Sequence, residues 1–358
     1  MPDSAHAGLE HPLMSLLQAV AEHGSIAKAA RAMSLSYRHV WGELKRWESE
    51  LGQELIVWEK GQSARLSDFG TKLMWAERQT QARLAPQIEA LRADLQRTFA
   101  VAFDPQAHVL TLYASHDDAL PRLREHAAHE GLHLDIRFCG SVDAIRALNE
   151  GRCTLAGFHT LALTDKASPT AQAYRDLLEP GRHKIIGFAS RCQGLILPPG
   201  NPKQLQSLQD VMGQHARFAR RDLGSGTRVL LEDLLQQADR SMQDLHCLPE
   251  DEPSHAAVAQ AVASGQADVG LGLQSVAVSK GLAFVPLVQE QFFLVCLKSS
   301  LDSPATAALR AVLQHRAWQD ELAALPGYAP LQCGLVQSLR STLPWWQYAR
   351  DKHPSVAR

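Results

Sequence analysis

The sequence predicts an α-helical N-terminal third joined to an α/β domain that fills the remaining two-thirds. Between about Pro12 and Leu95 the chain is rich in Ala, Leu, Glu, Arg and Gln, and its apolar residues recur at helical spacing. Beyond Ala107, short apolar runs (109–113, 184–188) alternate with helical patterns (144–148, 229–235, 256–263), which argues for an α/β architecture with largely parallel sheets. A length of 358 residues exceeds what one compact core serves and suits two or three domains. Residues 96–108, which include Asp104-Pro105, read as an irregular connector between the two regions.

Composition narrows the function classes. Hydrophobic residues make up 45% and charged residues 21%, enough apolar surface to form cores and too little charge for a disordered chain. With 36 Lys+Arg against 38 Asp+Glu the formal charge is −2, so any nucleic-acid contact must come from a local basic patch. The six cysteines, Cys139, Cys153, Cys192, Cys247, Cys296 and Cys333, contain no C-x-x-C pair, which opposes both a disulfide framework and a zinc site. No basic segment followed by an apolar stretch opens the chain, and no window of about 20 apolar residues follows. A cytoplasmic protein without a membrane segment is expected.

The first third divides into recognisable parts. Leu13, Leu16, Leu17 and Val20 form one helical stripe, and His23-Gly24-Ser25 follows with a glycine suited to a helix C-terminus. A short second helix buries Ile26, Ala29, Ala30 and Met33, whose small alanines allow the close approach of a helix-turn-helix. Ser34-Leu35-Ser36 supplies N-cap candidates for a third helix, with Val40, Leu44, Trp47 and Leu51 on its inner face. Its outer face carries Tyr37, Arg38, Trp41, Lys45 and Arg46, cationic and aromatic groups able to reach phosphates and base edges in a major groove. Between Ser25 and Arg46 the cations Lys28, Arg31, Arg38, Lys45 and Arg46 face the single acid Glu43. Next, the runs 55–58 and 64–66 bracket Lys60-Gly61-Gln62 and read as a two-stranded wing with a cationic tip. In the helix beginning near Phe69, Leu84, Ile88, Leu91 and Leu95 repeat at spacings of four, three and four, a seam for a partner helix, while Pro86 implies a break or kink.

These motifs carry a resemblance. Gly24-Ser25-Ile26-Ala27-Lys28-Ala29-Ala30, then Leu35-Ser36-Tyr37-Arg38-His39-Val40-Trp41, resembles the winged helix of the molybdate-responsive ModE regulators and, more distantly, the LysR-type module. Leu66-Ser67-Asp68-Phe69-Gly70-Thr71-Lys72-Leu73 is similar to the stretch that opens the long linker helix in both groups. The wing departs from both patterns: it lacks the glycine-rich insert of ModE proteins, and Trp58-Glu59 stands where LysR proteins have a basic residue. The resemblance implies DNA contacts from Ser25, Lys28, Ser36, Tyr37, Arg38, Trp41, Lys45, Arg46, Lys60 and Arg65. It also implies a homodimer or dimer of dimers on a pseudo-palindromic duplex.

In the α/β region, strands ending at Ala114-Ser115-His116-Asp117 and at Cys139-Gly140-Ser141 feed helix starts, an arrangement that presents backbone N–H groups and small hydroxyls to an anion. The run from Arg217 to Arg228 combines a Gly224-Ser225-Gly226-Thr227 turn with four arginines and opens a helix through Leu235. Its glycines allow close backbone approach, Ser225 and Thr227 can donate to oxygens, and Arg228 balances negative charge. The runs 191–202, 224–228 and 254–272 resemble a type 2 periplasmic-binding-protein-like domain of the cytoplasmic kind found in molybdenum-related regulators. That resemblance implies two lobes, with chain crossings near 189–194 and 286–293 and a ligand in the cleft. The implied ligand group is Ser115, His116, Asp117, Ser141, His159, Gly224, Ser225, Gly226, Thr227, Arg228 and His255. Asp117 would repel a fully deprotonated oxyanion unless it points away or pairs with Arg228 or a histidine.

The expected organisation is a winged helix-turn-helix over 1–66, a linker and dimerisation helix with connector over 67–107, and a two-lobed sensor over 108–358. Lobe I takes about 108–190 and 290–345, lobe II about 191–289. The expected function is a ligand-responsive DNA-binding transcription regulator with no catalytic residues, no metal and no cofactor beyond a small oxyanion effector such as molybdate or tungstate. Phosphate-like anions, formate-type carboxylates and a pterin-containing molybdenum cofactor stay open as ligands. Two other readings stand beside it: an enzyme of molybdenum-cofactor metabolism with an appended DNA module, and a constitutive DNA-binding protein with a vestigial sensor.

Overall fold

The computed structural model of the chain describes residues 11–57, 64–103, 108–162 and 166–346. The chain divides into two compact units, Met1–Ile88 and Glu89–Arg358. The first unit contains α1 (Pro12–His23), α2 (Ile26–Ala32), α3 (Tyr37–Leu51), β1 (Ile56–Val57), β2 (Arg65–Leu66) and the start of α4 (Asp68–Phe103).

Local signals set these boundaries. Gly24 ends α1 in the left-handed conformation, its N–H bonded to the Val20 carbonyl. Ser25 caps α2 by accepting from the Lys28 N–H, and Ser36 caps α3 by accepting from the His39 N–H. Leu13, Leu16, Leu17 and Val20 of α1 meet Ile26, Ala29 and Ala30 of α2, Val40 and Leu44 of α3, and Leu55 and Ile56, in one buried core. The inner stripe of α3 is shorter than its spacing suggests: Trp47 is half-buried and Leu51 exposed, because Gly52 turns the chain away at the last turn. β1 and β2 pair antiparallel, Ile56 opposite Leu66, and so form the base of a wing. Gly70 permits the close passage of α4 over that base, since a Cβ there would overlap the Leu55 carbonyl oxygen. Two expectations change. The helix α4 runs through Pro86 as one element, and it continues to Phe103, so residues 96–103 are helical rather than part of an irregular connector. Its apolar spacing there (Leu95, Phe99, Phe103) continues the helix beyond the point where charge thins out.

The second unit begins, after the end of α4, with β3 (His108–Ala114), α5 (Ala119–His129), β4 (Leu132–Phe138), α6 (Ser141–Asn149), β5 (Leu155–Leu161), α7 (Pro169–Arg175) and β6 (His183–Leu197). Then come α8 (Leu208–Gly213), β7 (Phe218–Ala219), α9 (Gly226–Gln237), α10 (His255–Ala263), β8 (Val269–Leu273), α11 (Gln274–Ser279) and β9 (Ala283–Leu297). The described chain closes with α12 (Pro304–Gln314), α13 (Arg316–Ala323), β10 (Tyr328–Pro330), β11 (Val336–Ser338) and α14 (Leu339–Thr342).

One sheet runs in the order β4-β3-β5-β9-β6-β8-β7, with β10 and β11 also paired to β6. Its centre is the antiparallel pair β6 and β9, matched from His183 opposite Leu297 to Leu197 opposite Ala283. Register shifts fall between Gly187 and Ala189 and between Gln193 and Gly194. β5, β3 and β4 flank one half of this pair, and β8 and β7 flank the other, so two α/β lobes share two long crossing strands. The sheet is mixed rather than largely parallel: β3 pairs in parallel with β4 and β5, and β7 with β8, while each strand named above that pairs with β6 or β9 does so antiparallel. The cause is topological, because one chain passing out to a second lobe and back must run its two crossing strands in opposite directions.

Candidate functional site

On α3 the inner residues Val40 and Leu44 leave Tyr37, Arg38 and Trp41 facing solvent, with Tyr37 53% and Trp41 42% exposed. Two large aromatic rings held open on a helix that also exposes a cation form a surface suited to base edges and phosphates. Arg38 makes no ion pair among the described residues. Other cations of this face are held in place by acids: Lys45 Nζ lies 2.5 Å from Glu48, and Arg46 bonds Glu43 at 2.7 Å and approaches Glu50 at 3.8 Å. Glu48 in turn accepts the N–H groups of Leu55 and Ile56, tying α3 to the first wing strand. Lys28 on α2 and Arg65 on β2 are exposed. Ser25 and Ser36 lend their oxygens to helix caps, and each hydroxyl hydrogen still points to a donor role. Lys60, with the rest of the wing tip, lies outside the described residues.

In the second unit, the starts of three helices and two strand ends meet at the crossing strands. Ser115 and Ser141 hydroxyls lie 3.3 Å apart where β3 ends and α6 begins. Gly226, the first residue of α9, sits against His159 of β5 and Ser141: a Cβ there would overlap the His159 ring and stand 3.0 Å from the Ser141 Oγ. Thr227 Oγ1 lies 3.3 Å from His255 Nε2 at the start of α10 and accepts from Gln193 Nε2 at 3.2 Å. Thus Ser115, Ser141, His159, Gly226, Thr227 and His255 come together, all buried. Gly224 stands at the edge of this group, against Gly140. Ser225 caps α9 and donates to the Asp222 carbonyl at 2.7 Å, so its hydroxyl is fully engaged locally. Arg228 pairs with Glu232 at 2.8 Å, which partly spends the charge expected to face a ligand. His116 is half-buried against the Phe138 ring.

Asp117 finds a partner other than those expected. Its carboxylate pairs with Arg191 of β6, accepts the Tyr328 hydroxyl at 2.8 Å and accepts the Ala119 N–H at 2.8 Å. The Arg191 Nε also bonds Glu290 at 2.5 Å, and Gln193 Nε2 bonds the same Glu290 oxygen at 2.7 Å. Arg191, 1% exposed, thus pairs with two buried carboxylates and balances one of their two charges, while its guanidinium lies 5.0 Å over the Phe292 ring. A second buried guanidinium has no such ion pair: Arg221 donates to the carbonyls of Glu252 and Pro253 at 2.9 Å and makes no carboxylate ion pair among the described residues, although the charges of Asp222 and Glu252 act on it.

Electrostatics follow from this burial. Desolvation, then the charges of Arg191 and Arg221, hold the His159 ring well below the ordinary histidine range. His255 is lowered in the same way by burial, Arg221 and Arg191. Burial pulls Arg221 down to about 10, and pushes Glu290 up against the pull of Arg191 and Gln193. Several polar atoms here are buried without a partner: both ring nitrogens of His159, Nδ1 of His255, Nη2 of Arg191 and Nη1 of Arg221. Buried donors left bare are costly, so a cluster of them marks a place where a ligand supplies acceptors. Among the described residues no group of His, Cys, Asp and Glu is arranged to hold a metal ion.

Sequence reasoning missed Arg191, Gln193, Arg221 and Glu290. Three of them stood inside quoted motifs, and the signal was present in Arg191-Cys192-Gln193, where polar residues alternate within an otherwise apolar strand. Glu290 carried no such context, since strand periodicity alone does not tell which face of β9 turns toward the cleft.

A helix-turn-helix with an open aromatic and cationic helix, on a chain that also forms a two-lobed binding domain, defines the class of regulators that couple a DNA reader to a sensor. The sequence profile of the PBP superfamily domain matches residues 123–314, and the chain belongs to that family; the profile of the bacterial regulatory helix-turn-helix protein, lysR family, matches residues 12–71. The Bacillus subtilis (strain 168) protein YvgK is 27% identical over 258 residues, which span 72% of this chain and 82% of YvgK. A protein from the 5′ region of a ferredoxin 2Fe-2S gene of Clostridium pasteurianum is 32% identical over 84 residues, 23% of this chain and 74% of its own. Among solved structures, a full-length BenM variant aligns over 90% of this chain and 99% of its own at 14% identity, with a TM-score of 0.45. The two profiles put a lysR-family helix-turn-helix region and a PBP-superfamily domain on one chain, the make-up of a ligand-responsive DNA-binding regulator. No helix among the described residues is long and apolar enough to cross a membrane.

Proposed function

We propose that this regulator senses a small oxyanion of the molybdate or tungstate type in the cleft between its lobes, linking transcription to molybdenum metabolism in the cytoplasm. One observation carries the reading. Two buried guanidiniums, Arg191 and Arg221, keep bare N–H groups beside the Ser141, Thr227 and His255 helix starts, and Arg221 makes no carboxylate ion pair among the described residues, with Asp222 and Glu252 acting on it only through longer-range charge. A buried cation without a direct ion pair is stabilised when an anion joins it, and helix N-termini favour the same charge. Asp117 does not oppose this, because Arg191 and Tyr328 hold its charge.

Calorimetry of the full chain with molybdate, tungstate, sulfate and phosphate tests the reading. At least one of these anions binds, and Arg221→Gln weakens it about ten- to hundredfold, the worth of one charge-assisted hydrogen bond. Equal affinity in the variant would remove Arg221 from the site, and silence from every anion would remove the oxyanion.

For the DNA face we propose contacts from Arg38, Tyr37, Trp41, Lys45 and Arg46, supported by Lys28, Ser25, Ser36, Arg65 and the wing-tip Lys60, to a pseudo-palindromic duplex. A homodimer follows from α4. Leu91 is 70% and Leu95 59% exposed, and Phe99 and Phe103 continue the same apolar row, an arrangement that one chain leaves in water. Leu91→Asp with Leu95→Asp is expected to give a monomer in sedimentation experiments at concentrations where the natural chain is dimeric. An unchanged dimer would place the interface elsewhere.

A further inference from the structure

Donors are not the only bare atoms in the cleft. Glu290 Oε2 and Gln193 Oε1 are buried acceptors without partners, and so is one nitrogen of the neutral His159 ring, whose two nitrogens are both bare. The orientation of Gln193 is fixed by chemistry, because its Nε2 faces the Glu290 Oε1 and donates to it. A fully deprotonated oxyanion offers acceptors alone. It satisfies Arg191 Nη2 and Arg221 Nη1 and leaves acceptor facing acceptor at Glu290 and Gln193, an arrangement that buried polar groups avoid. One proton removes the conflict at Glu290.

We propose that the cleft takes up its oxyanion together with one proton, which resides on the bare Oε2 of Glu290 in the complex and is donated from there to a ligand oxygen. This rests on the oxyanion reading of the site. Glu290 suits the role by its surroundings. Its Oε1 is saturated by Arg191 and Gln193 of β6, so the only oxygen open to a proton is Oε2. Asp117, ahead of α5, adds a negative charge nearby, burial disfavours the carboxylate, and Arg191 alone opposes protonation by charge. Cys192 of β6 and Tyr174 of α7 also feel the Glu290 charge, and both stay neutral. The histidines are poorer acceptors of the proton, because Arg191 and Arg221 already face His159 and His255. An arriving dianion adds negative charge beside Glu290, and proton uptake from solvent cancels part of it. The device admits an anion that is itself deprotonated, and equally one that brings its own proton.

Proton linkage is measured by titrating the full chain with molybdate, sulfate or inorganic phosphate in two buffers of different ionisation enthalpy. The expected result is an uptake of about one proton per bound molybdate or sulfate, and less for hydrogenphosphate, with the molybdate association constant falling about tenfold per pH unit as the pH rises from about 7 to about 9. Glu290→Gln, whose amide donates without titrating, is expected to abolish the uptake and flatten the pH profile. Binding without proton uptake in the natural chain overturns the linkage and leaves the oxyanion reading standing. Uptake that persists in Glu290→Gln overturns Glu290 as the acceptor. Binding of none of the three anions overturns the oxyanion reading, and the linkage with it.

Discussion

Reversing the charges of Arg38 and Lys45 together, as Arg38→Glu and Lys45→Glu, is expected to abolish binding to duplex DNA taken from the chain's own upstream region. Phosphate contacts supply a large part of such affinity, and each one lost also lowers the salt slope of log K by about 0.9. Replacing two cations by two anions removes the contacts and adds repulsion on the same helix face. The two positions differ in what else they do. Arg38 is exposed on the same helix as Tyr37 and Trp41 and has no ion pair among the described residues, so Arg38→Glu reports on DNA alone. Lys45 bridges to Glu48, which anchors Leu55 and Ile56, so its reversal also loosens the wing. Gel-shift titrations over a salt series, with Arg38→Ala beside the double variant, separate these effects. Arg38→Ala should weaken binding and flatten the salt slope while thermal stability stays the same. Normal binding by the double variant would reject α3 as the reading helix.

Removing Arg191 should have the largest effect on stability. Arg191→Met leaves Asp117 and Glu290 buried with their common counter-charge gone, and breaking a buried ion pair in this way costs about 3–5 kcal/mol. Tyr328 and the Ala119 N–H still bond Asp117, and Gln193 still bonds Glu290, which sets the loss within that range rather than above it. Calorimetric unfolding of the sensor is the measurement. A second variant isolates the cause: Arg191→Met with Asp117→Leu and Glu290→Met replaces the whole ionic group by apolar side chains of similar volume and should recover much of the loss, because the desolvation cost of three charges goes with them. An Arg191→Met protein as stable as the natural chain would contradict the role of Arg191 as the shared counter-charge of the two carboxylates.

The sequence made the three helices of the N-terminal unit legible and the pairings of the sensor site only in part, and the difference is physical. Helical periodicity, Gly24 and the capping serines are local signals, and they placed α1, α2 and α3 within a residue or two. Burial depends on neighbours as well. Leu51 followed the inner spacing of α3 yet stays exposed, because what lies opposite it is decided by the turn at Gly52. In the sensor, the turn 224–227 and the strand ends at Ser115 and Ser141 were legible because small residues at helix starts are a local pattern. The pairing of Arg191 with Asp117 and Glu290 joins residues 74 and 99 positions apart, which no window of sequence can show. Arg228 was legible beside the turn and keeps a bare Nη1 although its Nε bonds Glu232 one turn along the helix, whereas the bare N–H of Arg221, three positions before the turn, was not singled out. The mixed sheet was hidden likewise, since strand direction is set by where the chain goes between strands.

Effector control of DNA binding is the central claim, and one titration tests it. The full-length chain is titrated onto its upstream duplex at fixed salt, with and without a saturating concentration of the anion that calorimetry finds to bind. If cleft occupancy biases the arrangement of the reading helices, the two curves separate by about 5- to 150-fold, the range of couplings of about 1–3 kcal/mol. Superimposable curves, with the anion bound throughout, would contradict the account.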